Sequence, residues 1–436
     1  MRRASVRAVT ASFWQRSAKA RDLSTCSRRV LDMASRDGEL RVFMVAGEVS
    51  GDSIASRLMA SIKRISPYPV RFCGVGGALM DHEGLQSLFP MEDISVMGIF
   101  ELLPYLNKIR IKLKETIEAA EAFQPHVVVT VDSKGFSFRL LKHLKVRHAK
   151  EDHCPICVHY VVPSFWAWKG GERRLGKLSE FVDHLLCILP FEEEICRLNG
   201  LAASYVGHPL LEDAFCLNKE LDSPSYNWRF QGNGDAFRQQ HEIPPGNTVI
   251  TLLPGSRLQE HVASHIERAI RSWSLSATLI PGVSLQQRYD AFSASSAALC
   301  TSGSAVMELQ LAGLPSVVAY RAHFLTEWLI QHRTKLQFIS LPNILLDSEV
   351  IPEVLFRSCT YKNLAATLSK VILDEDARVK QIAAAERVFR LLCPQGLDSI
   401  TDNCCPSMNA ASVILNLGKK KRGFNEGPNE IAFSQN

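Results

Sequence analysis

From about Leu40 to residue 395, short apolar runs alternate with segments in which apolar residues recur every three or four positions. Arg41–Ala46 predicts a strand, and the polar, glycine-containing turn after it leads into Ile54, Leu58, Met59, Ile62 and Ile65 at helical spacing. Val127–Val131 is an unbroken β-branched run, the pattern of a parallel strand buried on both faces. His159–Val162, Leu185–Leu189 and Ser204–Val206 predict further strands. A polar stretch from Asn218 to Asn247, with Pro224, Gly232, Gly234, Pro244, Pro245 and Gly246, predicts a linker. The pattern then restarts with Val249–Leu253, Ala277–Ile280, Ala297–Cys300 and Ser316–Tyr320, separated by helical segments. Two successive sets of βα units predict two doubly wound α/β domains facing a cleft.

Ligands of such sheets sit beyond the carboxyl ends of the strands, so candidate chemistry is sought just after each apolar run. Gly47-Glu48-Val49-Ser50-Gly51-Asp52 follows the first strand. Its small residues, Ser50 and Gly51 among them, let a ligand approach the amides of a helix start, although a simple capped turn would use the same residues. It is no P-loop, because no Gly-Lys-Ser/Thr follows, and Gly74-Val75-Gly76-Gly77 lacks the third glycine of a dinucleotide fingerprint. Val127–Val131 ends at Asp132, placed either as a general base in the crevice or as a helix cap. Val162-Pro163-Ser164-Phe165-Trp166-Ala167-Trp168-Lys169, followed by Arg173 and Arg174, sets aromatic surface beside cations. That suits an anionic amphiphile or a membrane surface, and equally ordinary packing. In the second half Arg257 follows a strand and turn, and Thr301-Ser302-Gly303-Ser304 opens a helix that carries Glu308. A Ser-Gly-Ser loop at a helix start can cradle a diphosphate, Arg257 can add a forked donor, and Glu308 can accept both hydroxyls of a ribose.

Composition narrows the class. The 436 residues exceed what one core holds, and 46% hydrophobic with 22% charged residues excludes a mainly disordered chain. No apolar run approaches the roughly 20 residues needed to cross a bilayer. The net charge of +5 is concentrated at the start: residues 1–36 hold nine bases and only Asp22 and Asp32 as acids, so the remainder is slightly negative. An Arg-rich, Ser-containing, acid-poor beginning predicts an organelle transit peptide over residues 1–38, mitochondrial rather than plastid; a basic arm for nucleic acid or membrane is the alternative. The 12 cysteines read as reduced core thiols. His153-Cys154-Pro155-Ile156-Cys157-Val158-His159 has no second Cys-x-x-Cys, and its alternation favours a strand over a zinc site.

The ordered motifs GEVSGD, GVGGALM, SVMGIFELLP, VPSFWAWK, LPFE, VGHPLLE, LPGSR, SGS-x-x-x-E and ISLPNILL, spanning about residues 40–395, resemble the lipid-A-disaccharide synthase family. The resemblance implies a GT-B fold: an acceptor-binding domain over 39–215, a linker over 216–247, a UDP-sugar domain over 248–395 and a tail over 396–436. It implies an inverting transfer from UDP-2,3-diacylglucosamine to the 6-hydroxyl of 2,3-diacylglucosamine 1-phosphate, giving a β-1,6 disaccharide and UDP. Asp132 falls where the family places its candidate base. Arg257, Ser302, Gly303, Ser304 and Glu308 match the nucleotide side, Asn343 matches a polar cleft position, and Ser50, Gly51, Trp166, Trp168 and Lys169 fall on the acceptor or cleft side. No metal or other cofactor is expected, and no nucleic-acid partner. Contact with the mitochondrial inner membrane is expected to be peripheral, and a homodimer is left open. Two departures stand out. Asp132-Ser133-Lys134-Gly135-Phe136 differs from the bacterial Asp-x-Pro-Asp-Phe-Asn. Between Arg257 and Ala277 the family has a helix, a strand and another helix, whereas this chain has room for one helix, with Val262, Ile266, Ala269, Ile270 and Trp273 on one face. About one βα unit of the nucleotide domain is missing, an internal deletion that also admits a catalytically impaired nucleotide- or lipid-binding isoform. Another GT-B sugar-nucleotide enzyme is the third reading.

Overall fold

The computed structural model describes residues 26–95, 106–148, 154–213, 229–253, 260–280, 284–393 and 405–420. The first half is built on a six-stranded parallel sheet of β1 (Leu40–Ala46), β2 (Val70–Val75), β3 (Val127–Val131), β4 (Ile156–Tyr160), β5 (His184–Cys187) and β6 (Ala203–Tyr205). Its spatial order is β2-β1-β3-β4-β5-β6. The order reverses between β1 and β3, and a doubly wound sheet opens its ligand crevice at such a reversal.

Alternation along the strands divides the side chains between two helical layers. Val42, Met44, Val127, Val129 and Val158 pack against α1 (Val30–Asp37) and α2 (Val49–Ile65) on one face. Phe43, Val45, Val128 and Cys157 pack against α3 (Leu106–Phe123) and α4 (Lys134–Arg147) on the other; α5 (Pro190–Leu198) and α6 (Gly234–Gln240) come later in the chain. Cys157, the only strand thiol of the Cys-Pro-Ile-Cys stretch, is therefore a buried core residue. The strand expected at His159–Val162 lies earlier, because Val161 has φ +72 and leaves the extended region.

The second half carries a four-stranded parallel sheet of β7 (Ile250–Leu253), β8 (Ala297–Cys300), β9 (Ser316–Tyr320) and β10 (Glu353–Leu355), with neighbours in the order β10-β9-β8-β7. Two parallel α/β sheets, each with helices against it, are the GT-B plan. Ala277–Ile280, expected as a strand, forms none. The chain passes from β7 through α7 (Glu260–Ile270) to α8 (Leu285–Ala294) and directly into β8. Ile250 and Leu252 pair in register with Ala297 and Leu299 and so share their face. The helix α9 (Tyr361–Leu373) covers that face over β8, β9 and β10, yet Ile250 stays 40% and Leu252 49% exposed. A hydrophobic face left bare at one sheet edge is what the loss of one βα unit produces.

Three boundaries differ from the sequence reading. Residues 30–37, assigned to the leader, form α1, whose Val30 and Ala34 are fully buried in the first core. Within the expected linker, Phe230 and Phe237 are buried, and Asn233 caps the helix Gly234–Gln240, which packs on α8. Within the expected tail, Pro406–Asn416 folds back onto α2: Ala410, Ala411 and Ile414 are fully buried and Ser407 Oγ lies 2.6 Å from Ser61 Oγ. Small residues at 410 and 411 allow this close approach, and no local periodicity announces a contact with a helix so distant in sequence.

Candidate active site

Ala46 and Val131 are paired in register at the ends of β1 and β3, so the chain leaves the sheet side by side at Gly47 and Asp132. Gly47 is required there, since a Cβ would come within 2.4 Å of Ser133 Oγ. Asp132 and Ser133 have φ +49 and +44. Left-handed backbone in two consecutive non-glycine residues is uncommon, and Asp is among the side chains that best tolerate it. The turn is fixed by Asp132 N–H donating to Tyr160 O (3.0 Å) and Ser137 Oγ donating to Asp132 O (2.8 Å). Ser133 N–H donates to Asp132 Oδ1 (2.8 Å).

Burial raises the Asp132 pKa above the ordinary carboxylate value, opposed by the Ser133 N–H and the Lys134 ammonium. Glu48, one residue beyond Gly47, is also raised, by burial first and then by the Asp132 charge, with Lys134 opposing. The two carboxyls, both raised by burial, therefore share one end of the crevice. The sequence placed Glu48 inside a motif without giving it a role; only the register of β1 against β3 shows the two acids side by side.

Ser50 is exposed on the first turn of α2, whereas Gly51 is buried, with its Cβ position 3.4 Å from Val131 O. Gly51 therefore lets α2 cross closely over β3. Asp52 is buried and accepts from the N–H groups of Gly77 (2.9 Å), Leu79 (3.1 Å) and Met80 (3.1 Å). It caps the short helix after β2, which explains why the first glycine motif and the second occur together.

The aromatic-basic segment joins the two halves. Lys169 N–H donates to Arg333 O (2.8 Å), Lys335 N–H donates to Ala167 O (2.8 Å), and Trp168 bridges Thr334 in antiparallel fashion. Lys169 Nζ donates to His332 O (2.7 Å), and Lys335 forms an ion pair with Glu172. Trp166 stands edge-on to Phe191 and donates from Nε1 to Glu192 Oε1 (3.1 Å). Glu192 is buried, accepts from Leu189 N–H through Oε2 (3.1 Å), and has its pKa pushed up to about 7, chiefly by burial. The backbone of Ala167–Lys169 and the Lys169 and Lys335 side chains form a clasp between the two halves, while Trp166 packs on Phe191 and Glu192; ordinary packing was one of the two readings the sequence offered for this segment.

On the nucleotide side, β8 ends at the loop Thr301–Gly303. Gly303 has φ +131, is exposed, and has no neighbour within 4 Å of its Cβ position. It precedes the helix Ser304–Leu311, which has no side-chain N-cap, and Ser304 is exposed on its first turn. Further along, Glu308 Oε2 lies 2.9 Å from an Arg288 guanidinium nitrogen on α8. Asn343 does not face an open cleft. It is fully buried, donating to Ile351 O and Glu353 Oε1 (2.8 Å each) and accepting from Val350 N–H and Ile351 N–H (2.9 Å each). Glu353 in turn accepts from Ile339 N–H (3.0 Å) and Ser340 N–H (2.8 Å), while Ser302 Oγ donates to Ile339 O (3.2 Å). Asn343 therefore braces the Ser302 loop through Glu353, a residue no sequence signal marked. Arg257 lies outside the described residues.

The family model described as lipid-A-disaccharide synthetase matches residues 42–278 and 263–398. The chain belongs to the lipid-A-disaccharide synthase family. It is thereby a glycosyltransferase of lipid A biosynthesis. It is 52% identical to the Arabidopsis thaliana protein named probable lipid-A-disaccharide synthase, mitochondrial, over 90% of this chain and 94% of that one. It is 36% identical to the lipid-A-disaccharide synthase of Rhodospirillum centenum, over 88% of this chain and 96% of that one. A solved structure it resembles is the Methanocaldococcus jannaschii UDP-GlcNAc 2-epimerase in complex with UDP-GlcNAc and UDP, at 9% identity and a TM-score of 0.49, over 81% of this chain and 99% of that one. The Arabidopsis alignment runs to 439 positions, more than the chain's 436 residues, so a stretch of that synthase has no counterpart here. The two family-model segments overlap over residues 263–278, where the structure also lacks a strand.

Proposed function

We propose that this synthase transfers the sugar of UDP-2,3-diacylglucosamine to the 6-hydroxyl of 2,3-diacylglucosamine 1-phosphate with inversion, giving the β-1,6 disaccharide and UDP. The observation that carries the reading is Asp132, a carboxylate raised toward neutrality at the crevice end of β3. It takes the proton from the acceptor hydroxyl as that oxygen attacks the anomeric carbon from the face opposite UDP. Glu48, raised by burial and then by the Asp132 charge, stands beside this base. The bond to UDP breaks, and the charge left on the diphosphate meets the open amides at Gly303 and Ser304, with Arg257 as a further donor. Ser302 is braced from Asn343, and Glu308 accepts from the ribose. No step is assigned to a metal.

Exposed Val49, Leu79 and Leu88 lie where β1 and β2 give way to loops, which supports acyl chains and a peripheral membrane contact at this end. Among the described residues no helix is long and apolar enough to cross a membrane. The acid-poor basic leader and the mitochondrial name of the Arabidopsis relative support the mitochondrial inner membrane as the location.

The test is turnover by the purified chain, followed as disaccharide and UDP by mass spectrometry. The bare face at Ile250 and Leu252 favours a second reading, a nucleotide- or lipid-binding form with impaired catalysis. Turnover as the chain stands sinks that second reading; turnover only after the missing unit is grafted back supports it. Absence of product from both forms refutes the transferase assignment.

A further inference from the structure

We propose that Arg288 is the positioning residue of the nucleotide half, holding the Glu308 carboxylate fixed in direction for the hydroxyls of a ribose. The inference rests on the nucleotide reading of the Gly303–Glu308 segment given above. The pair is 2.9 Å apart and partly screened from water, the side chains being 27% and 16% exposed. Each partner stands on a helix with little freedom. Arg288 precedes Tyr289, which is fully buried and edge-on to Phe230 (4.4 Å) and Phe292 (5.4 Å), and Ser284 caps α8 at its start. Glu308 lies between the buried Met307 and Leu309. The carboxylate is thus aimed by packing on both sides of the contact.

The surroundings are polar beyond what an ion pair joining two helices needs. Arg288 Nε and the Tyr289 hydroxyl are buried with no hydrogen-bond partner among the described residues. The Tyr289 hydroxyl also feels the Glu308 charge. Buried donors left in this way beside a carboxylate are costly unless a ligand completes them. An ionised carboxylate offers about four acceptor sites, enough for more than one donor at a time. Hydrogen bonds to a charged acceptor are the strong ones, and holding Glu308 in place before the ligand arrives is the contribution assigned to Arg288.

The test is calorimetric binding of UDP and of 2′-deoxy-UDP to the full chain, with inorganic pyrophosphate as a probe that has no ribose. The wild type is expected to prefer UDP by about tenfold or more, the worth of one charge-assisted hydrogen bond. Arg288→Gln and Glu308→Gln should each abolish that preference, the double variant should lose no more than either single one, and Arg288→Lys should restore part of it. Pyrophosphate affinity should be unchanged throughout, which also shows that the variants are folded. If Glu308→Gln abolishes the preference while Arg288→Gln keeps it, or if Arg288→Gln lowers only the melting temperature, the positioning role is wrong and the nucleotide reading stands. If the wild type binds both nucleotides equally, the ribose reading of Glu308 fails and takes this inference with it.

Discussion

Replacing Asp132 by Asn separates the charge of this residue from its shape. Asn tolerates left-handed backbone as Asp does, so φ +49 is kept at little cost. It keeps a side-chain oxygen for the Ser133 N–H, and the backbone bonds to Tyr160 and from Ser137 do not involve the carboxyl. The raised pKa gives the sign of the stability effect. The folded state binds this proton more tightly than the unfolded one, so stability falls as pH rises from the ordinary carboxylate value through the raised one, and stays lowered above it. Asp132→Asn should therefore be at least as stable as the wild type at neutral pH, with its advantage vanishing below about pH 4. Catalysis should respond in the opposite way: loss of a general base lowers kcat by about 10²–10⁴, or about 3–5 kcal/mol of barrier. Initial rates of disaccharide formation and thermal melts across this pH range, in the chain as it stands and with the missing unit restored, measure both. A variant that retains more than about a tenth of wild-type kcat removes Asp132 as the base. One that loses more than about 1 kcal/mol at neutral pH shows that the charge is structural, contrary to the burial argument.

Four further outcomes follow from other parts of the molecule. Lys134→Met removes the cation that opposes both raised carboxyls; the acid limb of the rate profile should move to higher pH, by less than about one unit because Lys134 is exposed. Asn343→Ala leaves the Glu353 carboxylate and the amides of Val350 and Ile351 without their buried partner. It should cost about 3–5 kcal/mol in chemical denaturation and weaken UDP binding through the Ser302 loop. Trp166→Phe removes a donor that steadies the ionised form of Glu192, whose pKa is about 7; its loss in melting temperature should be larger at pH ~8 than at pH ~5. Thr at 250 and 252 should be nearly neutral in this chain, where Ile250 and Leu252 are exposed. In a chain with the βα unit restored, the same pair should cost about 1.5–3 kcal/mol for each side chain newly covered.

The elements that the sequence revealed are those whose signal is local. Val127–Val131 could only be a doubly buried strand, and a carboxylate directly after it could only emerge at the sheet's end. The Ser-Gly-Ser loop was legible for the same reason, as was the shortfall between Arg257 and Ala277. What stayed hidden depends on partners far along the chain. Pro406–Asn416 is amphipathic in either setting, and only its packing on α2 distinguishes a core helix from a tail. Lys169 is a surface cation in any one-dimensional reading, until the Arg333–Lys335 segment is seen beside it. Ala277–Ile280 has the composition of a strand, yet composition cannot supply the neighbouring strand that a ladder needs. Arg288 carries no spacing cue at all, because its meaning comes from the helix of Glu308.

The strand order of the second sheet has a consequence for how a nucleotide can be held. In the first sheet, the connections after β1 and β3 diverge to opposite sides, and a pocket opens between them without further construction. In the second, β7, β8, β9 and β10 are laid down one beside the next in a single direction, so the strand order has no reversal beside the Gly303 loop. On the proposed reading, a nucleotide at the Gly303 loop would take its second wall from the opposite lobe. The clasp from Ala167–Lys169 to Arg333–Lys335 holds the two halves together at this point, so on that reading a change in the clasp would alter grip on a ligand without touching the nucleotide domain.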